Sequence, residues 1–235
     1  MQPSPTPSIA VVIPVHNEAG FLPPAIPLIF DELERVKSDV SVVLVENGST
    51  DGTAEVAQNF AADLPMLEVM RLPTPDYGAA MRAGFLAAEA DWVVLFDIDY
   101  FSGDFLNAVL DRPDADVVLA SKRAAGADDR RSGFRRLATL VFNMLLRFLL
   151  QSGVSDTHGM KALRRDVVQV VAPQVISTKD LFDTELVIRA ERAGYAITEV
   201  PATVEEMREA RSSLIKRVPR TLRGLWTIRR LLADD

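Results

Sequence analysis

Two aspartates separated by one residue, Asp97 and Asp99, follow the apolar run at residues 92–96. We interpret residues 92–97 as a buried β-strand, along which both carboxylates would face one side and Ile98 the other. Ligands in open α/β sheets bind beyond the carboxyl ends of the strands, which is where this pair would lie. Two carboxylates so placed suit a hard divalent cation that in turn holds a diphosphate. Acidic chains also contain Asp-x-Asp by chance, so this hypothesis needs support from other strand ends.

Composition limits the classes of protein and of site. The chain has 235 residues, a net charge of −7 and no cysteine. The length fits one large domain, the charge argues against nonspecific nucleic-acid binding, and the lack of cysteine excludes disulfides and thiolate zinc sites. His16 and His158 are the only histidines, so a histidine-rich metal site is excluded.

Alternating apolar runs and helical segments predict an α/β fold with a mainly parallel, twisted sheet flanked by helices. No apolar run is long enough to span a membrane, so we expect a cytoplasmic protein. Residues 1–8 are expected to be a disordered lead-in. Strands are predicted at 9–15, 40–46, 68–72, 92–97, 117–120 and 196–200, and helices at 21–37, 53–63, 77–90, 102–110, 134–151 and 180–193, with a mobile loop at 124–133.

Polar residues follow the first predicted strand. Pro14, His16, Asn17 and Glu18 stand where a dinucleotide-binding fold would carry a glycine-rich turn, which is absent. The cluster could bond the edge of a base and a ribose. The alternative is a turn in which Asn17 caps the next helix.

The second predicted strand ends in Glu46 and Asn47, and Gly48 and Ser49 follow. Gly48 permits a tight turn, and Ser49 can cap the next helix. These structural roles leave Glu46 and Asn47 unexplained at the ligand edge of the sheet.

A third segment opens a helix with small residues after Tyr77, beginning at Gly78. Small side chains let a backbone approach a ligand closely, although tight packing of helix against sheet would require them equally.

Taken in order, these motifs resemble those of family 2 glycosyltransferases with the GT-A nucleotide-sugar fold. The resemblance covers residues 9–122. It implies that Asp97 and Asp99 hold the donor diphosphate through Mg²⁺ or Mn²⁺. It also implies a nucleotide pocket, to which we assign Pro14, His16, Asn17, Glu18, Glu46, Asn47, Ser49, Tyr77, Gly78 and Asp97. Two departures are Glu46-Asn47 where the family often has Asp-Asp, and Phe101 where many relatives have Gln, so the third metal ligand could be water or missing.

The second half resembles dolichol-phosphate mannose synthases and related polyprenyl-phosphate sugar transferases. The match runs through Asp156-Thr157-His158-Gly159-Met160-Lys161 and Phe182-Asp183-Thr184-Glu185, and Arg208 echoes a basic terminal motif in which Arg211 replaces the usual Gly. The implied domain is 9–211, with a nucleotide-sugar half at 9–122 and an acceptor half at 123–211.

The resemblance implies inverting transfer of a sugar from a nucleotide-diphosphate sugar. A polyprenyl phosphate acceptor is already ionised and needs no general base. A sugar hydroxyl acceptor would need one, for which Asp156 is the first candidate and Asp183 the second. Acceptor or phosphate binding is assigned to Arg123, Arg131, Lys161, Asp183, Glu185, Arg208 and Arg211.

Two segments favour a peripheral site on an anionic membrane. Residues 134–151 are apolar apart from a stripe containing Asn143 and Arg147, and residues 212–235 are predicted to form a basic amphipathic helix with Trp226. The alternatives are internal packing or a homodimer interface for the first, and a terminal helix packed on the core for the second. A noncatalytic nucleotide-sugar binder also remains possible, whereas a sugar nucleotidyltransferase would need a glycine-rich, arginine-containing loop that is absent.

Overall fold

The structure is a computed structural model that describes residues 6–129, 133–178, 181–204 and 214–232. Its strands are β1 (Ile9–Val15), β2 (Val40–Asn47), β3 (Leu67–Leu72), β4 (Trp92–Leu95), β5 (Val117–Ser121), β6 (Asp128–Asp129), β7 (Lys161–Arg164), β8 (Ile197–Pro201) and β9 (Thr203–Val204). Its α-helices are α1 (Leu22–Leu33), α2 (Thr53–Asp63), α3 (Tyr77–Ala87), α4 (Gly103–Leu110), α5 (Gly133–Leu150), α6 (Arg165–Val171), α7 (Phe182–Arg192) and α8 (Leu214–Leu231).

The main sheet has the strand order β3-β2-β1-β4-β7-β5-β8. All neighbouring pairs are parallel except those of β7, which runs antiparallel to both β4 and β5. Strands β6 and β9 form a separate short parallel ribbon. The carboxyl ends of β1, β2, β4 and β5 therefore meet along one edge of the sheet.

Two cores cover the two faces of the sheet, because successive strand residues point to opposite sides. Val11 of β1 belongs to the core covered by α1, α2 and α4. Val12 belongs to the core covered by α3, α6 and α7. This burial on both faces explains why the strands read as continuous apolar runs.

The prediction of a mainly parallel α/β sheet is confirmed, with differences at the ends of elements. Strand β4 ends at Leu95, two residues before the predicted end at Asp97. Asp97 and Tyr100 then exchange backbone hydrogen bonds of 3.0 and 3.2 Å, which close a tight turn. The argument that strand alternation aligns the two carboxylates was therefore wrong, since both lie on this turn.

Some elements were not predicted. Strand β7 begins in the segment read only as a motif, and helix α6 follows it directly. Strand β7 carries Lys161 into the centre of the sheet. The predicted loop at 124–133 contains β6, and residues 130–132 lie outside the described residues. Of the predicted lead-in, residues 1–5 are likewise not described, whereas Ser8 donates two hydrogen bonds to Asp91.

Helices α5 and α8 pack together at one side of the fold. Leu225 and Ile228 of α8 are buried with Leu146 and Leu150 of α5. Leu222 and Trp226 of the same helix are 41% and 52% exposed. The terminal helix thus packs on the domain and also leaves apolar groups at the surface.

Candidate active site

A cavity of about 210 Å³ opens at the carboxyl ends of β1 and β2. It combines four predicted nucleotide-binding residues with two others, and its lining consists of Pro14, Val15, His16, Asn47, Pro75 and Tyr77. Parallel strands deliver these side chains to one edge from positions far apart in the sequence. The tertiary structure thus brings together the ends of the first two strands and the start of α3.

The loops around this cavity are held by a chain of hydrogen bonds. Nδ1 of His16 lies 2.8 Å from the carbonyl oxygen of Asn47, which can only accept, so the Nδ1 atom carries a proton. Nε2 of His16 lies 3.1 Å from Nδ2 of Asn17, and Oδ1 of Asn17 accepts from the Thr50 amide at 2.9 Å. Asn17 has φ of 55°, a left-handed conformation that Asn tolerates. His16 and Asn17 therefore fix the first two loops to each other.

Ser49 and Glu46 contribute to the same clamp. The Ser49 hydroxyl accepts from the Asn17 amide at 3.0 Å, and the Ser49 amide donates to Oε1 of Glu46 at 2.6 Å. Oε2 of Glu46 lies 3.4 Å from Nε of Arg71 on β3. Glu46 thus has a structural role that its sequence position did not suggest.

Asn47 and Gly48 connect the second loop to α3. Oδ1 of Asn47 accepts from the Asp76 amide at 2.8 Å, and Asp76 caps α3 by accepting from the Ala79 amide. Gly48 has φ of 62°, and a Cβ there would lie 2.8 Å from the backbone nitrogen of Pro75. Both its conformation and this contact require glycine.

Glu18 and Gly78 are both in closely packed surroundings. Glu18 is buried, and its amide donates to the Thr53 hydroxyl at 2.8 Å. A Cβ at Gly78 would lie 3.0 Å from the Thr178 Cα, so the missing side chain allows α3 to approach the segment before α7. At Gly78 the packing interpretation accounts for the small residue.

Asp97 and Asp99 lie on the turn after β4, close to further charges. Burial raises the pKa of Asp97 to about 6, and the negative charges of Asp183 and Asp99 act in the same direction. The ammonium groups of Lys161 and Lys122 oppose this rise. Burial and the neighbouring carboxylates both disfavour the negative charge of Asp97, and a bound cation would stabilise that charge.

The donor set fits a hard divalent metal ion that is also coordinated by water and diphosphate. Within the part of the chain that the structure describes, no group of three His, Cys, Asp or Glu side chains could hold a metal ion. Metal binding at this turn by Asp97 and Asp99, without a third protein ligand at Phe101, stays a prediction.

Asp156 is engaged by Lys122, a residue that the sequence did not single out. Lys122 Nζ lies 3.1 Å from Oδ2 of Asp156 and donates to the His158 carbonyl at 2.6 Å. Oδ1 of Asp156 accepts from the His158 amide at 3.0 Å. Burial lowers the pKa of His158, opposed by the charges of Asp183 and Asp156. Lys122 directly follows β5, and that position at a strand end was the signal that could have identified it.

Asp183 forms a second buried ion pair. Lys161 Nζ lies 2.6 Å from Oδ1 of Asp183 and 2.8 Å from the Gly159 carbonyl oxygen. The Lys161 side chain is fully buried. This pair joins β7 to the start of α7 beside the Asp97 turn.

The remaining predicted acceptor residues divide into three groups. Glu185 is buried and accepts from the amides of Ile176 and Ser177 and from Nε of Arg189, so it supports the segment before α7. Arg123 is exposed, and its amide donates to the Ser121 hydroxyl. Outside the described residues lie Arg131, Arg208 and Arg211. Contact of any of these side chains with substrate stays a prediction.

Two contacts join α5 to the loop that carries Asp156. The rings of Phe142 and His158 lie 5.1 Å apart between centroids, and Asn143 donates to the Ser155 carbonyl. Of the two stripe residues named for this helix, Asn143 is buried and Arg147 is exposed, so the predicted polar stripe runs from the buried side of the helix to the surface. The exposed side chains described on this helix are Arg147 and five large apolar residues, Leu137, Leu140, Val141, Met144 and Phe148, the five being exposed by 38 to 81%.

The sequence profile of glycosyl transferase family 2 matches residues 10–171. The chain belongs to this family. The predicted glycosyltransferase class is thereby confirmed.

Similar proteins agree with this assignment. The glycosyltransferase is 33% identical over 213 residues to a polyprenol monophosphomannose synthase of Mycolicibacterium smegmatis, covering 86% of this chain and 79% of the relative. It is 26% identical over 245 residues to a dolichyl-phosphate beta-glucosyltransferase of Trichomonas vaginalis, covering 93% and 73%.

A solved structure shows the same fold. Glucosyl-3-phosphoglycerate synthase from Mycobacterium tuberculosis, in complex with Mn²⁺, UDP-glucose and phosphoglyceric acid, superposes with a TM-score of 0.68 at 21% identity. The match covers 94% of this chain and 80% of that chain. The predicted GT-A fold is confirmed.

None of the helices in the described parts of this glycosyltransferase is long and apolar enough to cross a membrane.

Proposed function

We propose that this glycosyltransferase moves a hexose from a nucleotide-diphosphate sugar to a polyprenyl phosphate, with inversion at the anomeric carbon. The names of the two relatives support a polyprenyl-phosphate acceptor. The solved structure with Mn²⁺ and UDP-glucose supports a donor of this class and a divalent metal. GDP-mannose and UDP-glucose are the donors to test first.

The donor would lie between the cavity and the Asp97 turn. Its nucleoside would occupy the space lined by Pro14, His16 and Tyr77. Asp97 and Asp99 would hold Mg²⁺ or Mn²⁺. When bound, such a metal stabilises the negative charge that develops on the departing diphosphate.

One observation in the structure supports a lipid acceptor, namely the exposed apolar residues of α5 beside the Asp156 loop. Phe148 is 81% exposed and Met144 is 61% exposed, and α5 contacts the loop through Phe142 and Asn143. An apolar surface within the acceptor half suits a substrate with a phosphate head and a hydrocarbon tail.

The charges at this end of the site suit a phosphate better than a hydroxyl acceptor. Both proposed bases, Asp156 and Asp183, are engaged by lysine ammonium groups. A phosphate oxygen is already ionised and needs neither of them as a base. Lys122 and Arg123, at the end of β5, are cations that could bind the phosphate by charge-assisted hydrogen bonds.

We further propose that the α5 face and the basic face of α8 lie on an anionic membrane. Arg147, Arg223, Arg229 and Arg230 are exposed around the apolar groups. The Arg230 guanidinium lies 4.0 Å from the centroid of the Trp226 ring, and such a pair of basic and aromatic groups suits a lipid headgroup region. The protein would then be peripheral, on the cytoplasmic side.

The test is transfer of radiolabelled sugar from each donor, with Mg²⁺ or Mn²⁺, to a polyprenyl phosphate in detergent. We expect label in the organic phase, lost with EDTA, and NMR of the product should show an inverted anomeric configuration. Label that reaches only a soluble glycan would contradict the lipid acceptor. Donor binding without any turnover would indicate a noncatalytic nucleotide-sugar binder.

A further inference from the structure

Tyr77 bridges the donor cavity and the acceptor half. It is the first residue of α3, and it lines the cavity. Its hydroxyl donates to Oδ2 of Asp183, 3.4 Å away and 106 residues later in the chain. One side chain thus touches both the predicted nucleotide space and a carboxylate of the acceptor half.

The Asp183 carboxylate is held from two directions. Lys161 binds Oδ1 at 2.6 Å while Tyr77 binds Oδ2. Lys161 is itself fully buried and fixed by the Gly159 carbonyl oxygen. The two donors together restrict the rotation of the carboxylate about its own axis.

The position of the Tyr77 hydroxyl is set by close packing of the backbone. At the next residue, Gly78, a Cβ would lie 3.0 Å from the Thr178 Cα and 3.3 Å from the Phe182 Cβ. The first turn of α3 therefore rests directly against the start of α7, on which Asp183 lies. A rigid contact of this kind keeps a positioning group within a narrow range of geometry.

Asp183 acts on the centre of the site. The negative charge of Asp183 raises the pKa of Asp97 on the turn after β4, and the positive charge of Lys161 lowers it. The Asp183 carboxylate thus belongs to the acceptor half and lies near Asp97, the residue proposed to hold the diphosphate through a metal ion. A carboxylate there can accept hydrogen bonds from sugar hydroxyls.

We propose that the Tyr77 hydroxyl is a positioning group for sugar transfer, which orients Asp183 to accept a hydrogen bond from a hydroxyl of the transferred hexose. This inference rests on the proposed transfer from a nucleotide-diphosphate sugar, but not on the nature of the acceptor. The ring of Tyr77 contributes to nucleoside binding, and its hydroxyl contributes to the reaction. The two contributions can be separated by removing only the oxygen.

The test compares Tyr77→Phe with a control, Tyr195→Phe, at a residue between α7 and β8. Calorimetry measures the affinity for UDP and for GDP, each with Mn²⁺. Release of nucleoside diphosphate from UDP-glucose and GDP-mannose, with and without polyprenyl phosphate, measures turnover. Thermal melting verifies that each variant folds.

We expect Tyr77→Phe to leave nucleoside diphosphate affinity within about twofold and to lower kcat about tenfold, as for loss of a hydrogen bond to a charged group. Asp183→Asn should lower kcat as well. The double variant should be no slower than Asp183→Asn alone, because the hydroxyl acts through that carboxylate. Tyr195→Phe should leave both quantities unchanged.

Three results would overturn the inference: an unchanged kcat in Tyr77→Phe, a parallel loss of nucleoside diphosphate affinity and kcat, or additive effects in the double variant. If polyprenyl phosphate is not the acceptor, the wild-type protein would still release nucleoside diphosphate by hydrolysing the donor. The variants can then be compared by that hydrolysis, so a wrong acceptor is distinguishable from a wrong role for Tyr77. A wild-type protein that binds nucleoside diphosphate but never turns over would refute both proposals.

Discussion

Lys122 and Asp156 form an ion pair of 3.1 Å at the end of β5, with side chains that are 9% and 2% exposed. A pair so deeply buried is costly to break from one side only, because the remaining charge has no compensation. The pair also lies at the acceptor end of the site, so it could serve both stability and phosphate binding.

Substitution separates these two roles. We expect Lys122→Met to lower the free energy of unfolding by about 3 kcal/mol, as is usual when one partner of a buried pair is removed. Adding Asp156→Asn should restore much of the stability without restoring sugar transfer, since the cation is still missing. Denaturant melts and transfer assays measure the two effects. Full recovery of transfer in the double variant would show that Lys122 is purely structural.

Asp99 should determine metal-dependent donor binding. We expect Asp99→Asn to weaken binding of UDP or GDP in the presence of Mn²⁺ at least about tenfold, because a charged ligand of a hard cation is lost. The exposed Asp114 provides a control as Asp114→Asn. Calorimetry with and without EDTA measures the effect, and equal affinity for wild type and Asp99→Asn would refute the metal assignment.

The pKa of Asp97 predicts a pH-dependent stability of the metal-free protein. Burial raises this pKa from 3.8 to about 6, so the folded state binds the proton more tightly than the unfolded state. Its contribution to stability is therefore lost as the pH rises from about 4 through about 6.

Asp97→Asn removes this charge and should stabilise the metal-free protein at pH 7.5, with an advantage that shrinks towards pH 5 because wild-type Asp97 becomes protonated. Thermal melts in EDTA at the two pH values measure the difference. Mn²⁺ should stabilise the wild type but not the variant. An advantage independent of pH would contradict the cause assigned to the shift.

Two glycines in left-handed conformations offer a matched comparison. Gly52, with φ of 87°, has open space where a Cβ would lie, whereas at Gly48 a Cβ would meet the backbone of Thr74 and Pro75 at 2.8 Å. Gly52→Ala should cost about 1 kcal/mol of stability, the usual cost of a left-handed residue.

Gly48→Ala should cost more than this and also weaken nucleoside diphosphate binding, because Pro75 and Tyr77 line the cavity. Denaturant melts and calorimetry on both variants measure the comparison. Equal behaviour of the two variants would mean that the contact with Thr74 and Pro75 does not shape the cavity.

Phe148 tests the membrane proposal. Its side chain is 81% exposed, so Phe148→Asp should preserve the fold. It should weaken binding to anionic vesicles about tenfold or more, because a large apolar group no longer enters the lipid. Sedimentation with vesicles of phosphatidylglycerol measures this, and Leu28→Asp on α1, where Leu28 is 46% exposed, is the control. If Phe148→Asp instead changes the molar mass in solution and not vesicle binding, the face is a contact between two copies.

The sequence by itself determined the alternation of strands and helices, the positions of polar residues at strand ends and the family. Continuous apolar strands and glycine-marked turns are local patterns, so they can be recognised without knowledge of the fold. The order of motifs from Pro14 to Asp99 was enough to predict the GT-A fold, now confirmed.

Only the tertiary structure decided which of those polar residues hold the site together. The sequence left Glu46 unexplained and suggested that Ser49 caps a helix, yet both residues belong to one clamp that also contains Asn17. Likewise, Lys122 and Tyr77 find their partners 34 and 106 residues away. Such contacts depend on crossovers between strands, which local sequence patterns do not encode.

The same reason explains the errors at β4 and α5. The sequence could not show that the strand stops at Leu95, because the reciprocal bonds of Asp97 and Tyr100 form only in the folded turn. Nor could it show that Asn143 faces inward and Phe148 outward. Which side of an apolar helix is buried depends on the elements packed against it, here the Ser155 loop and α8.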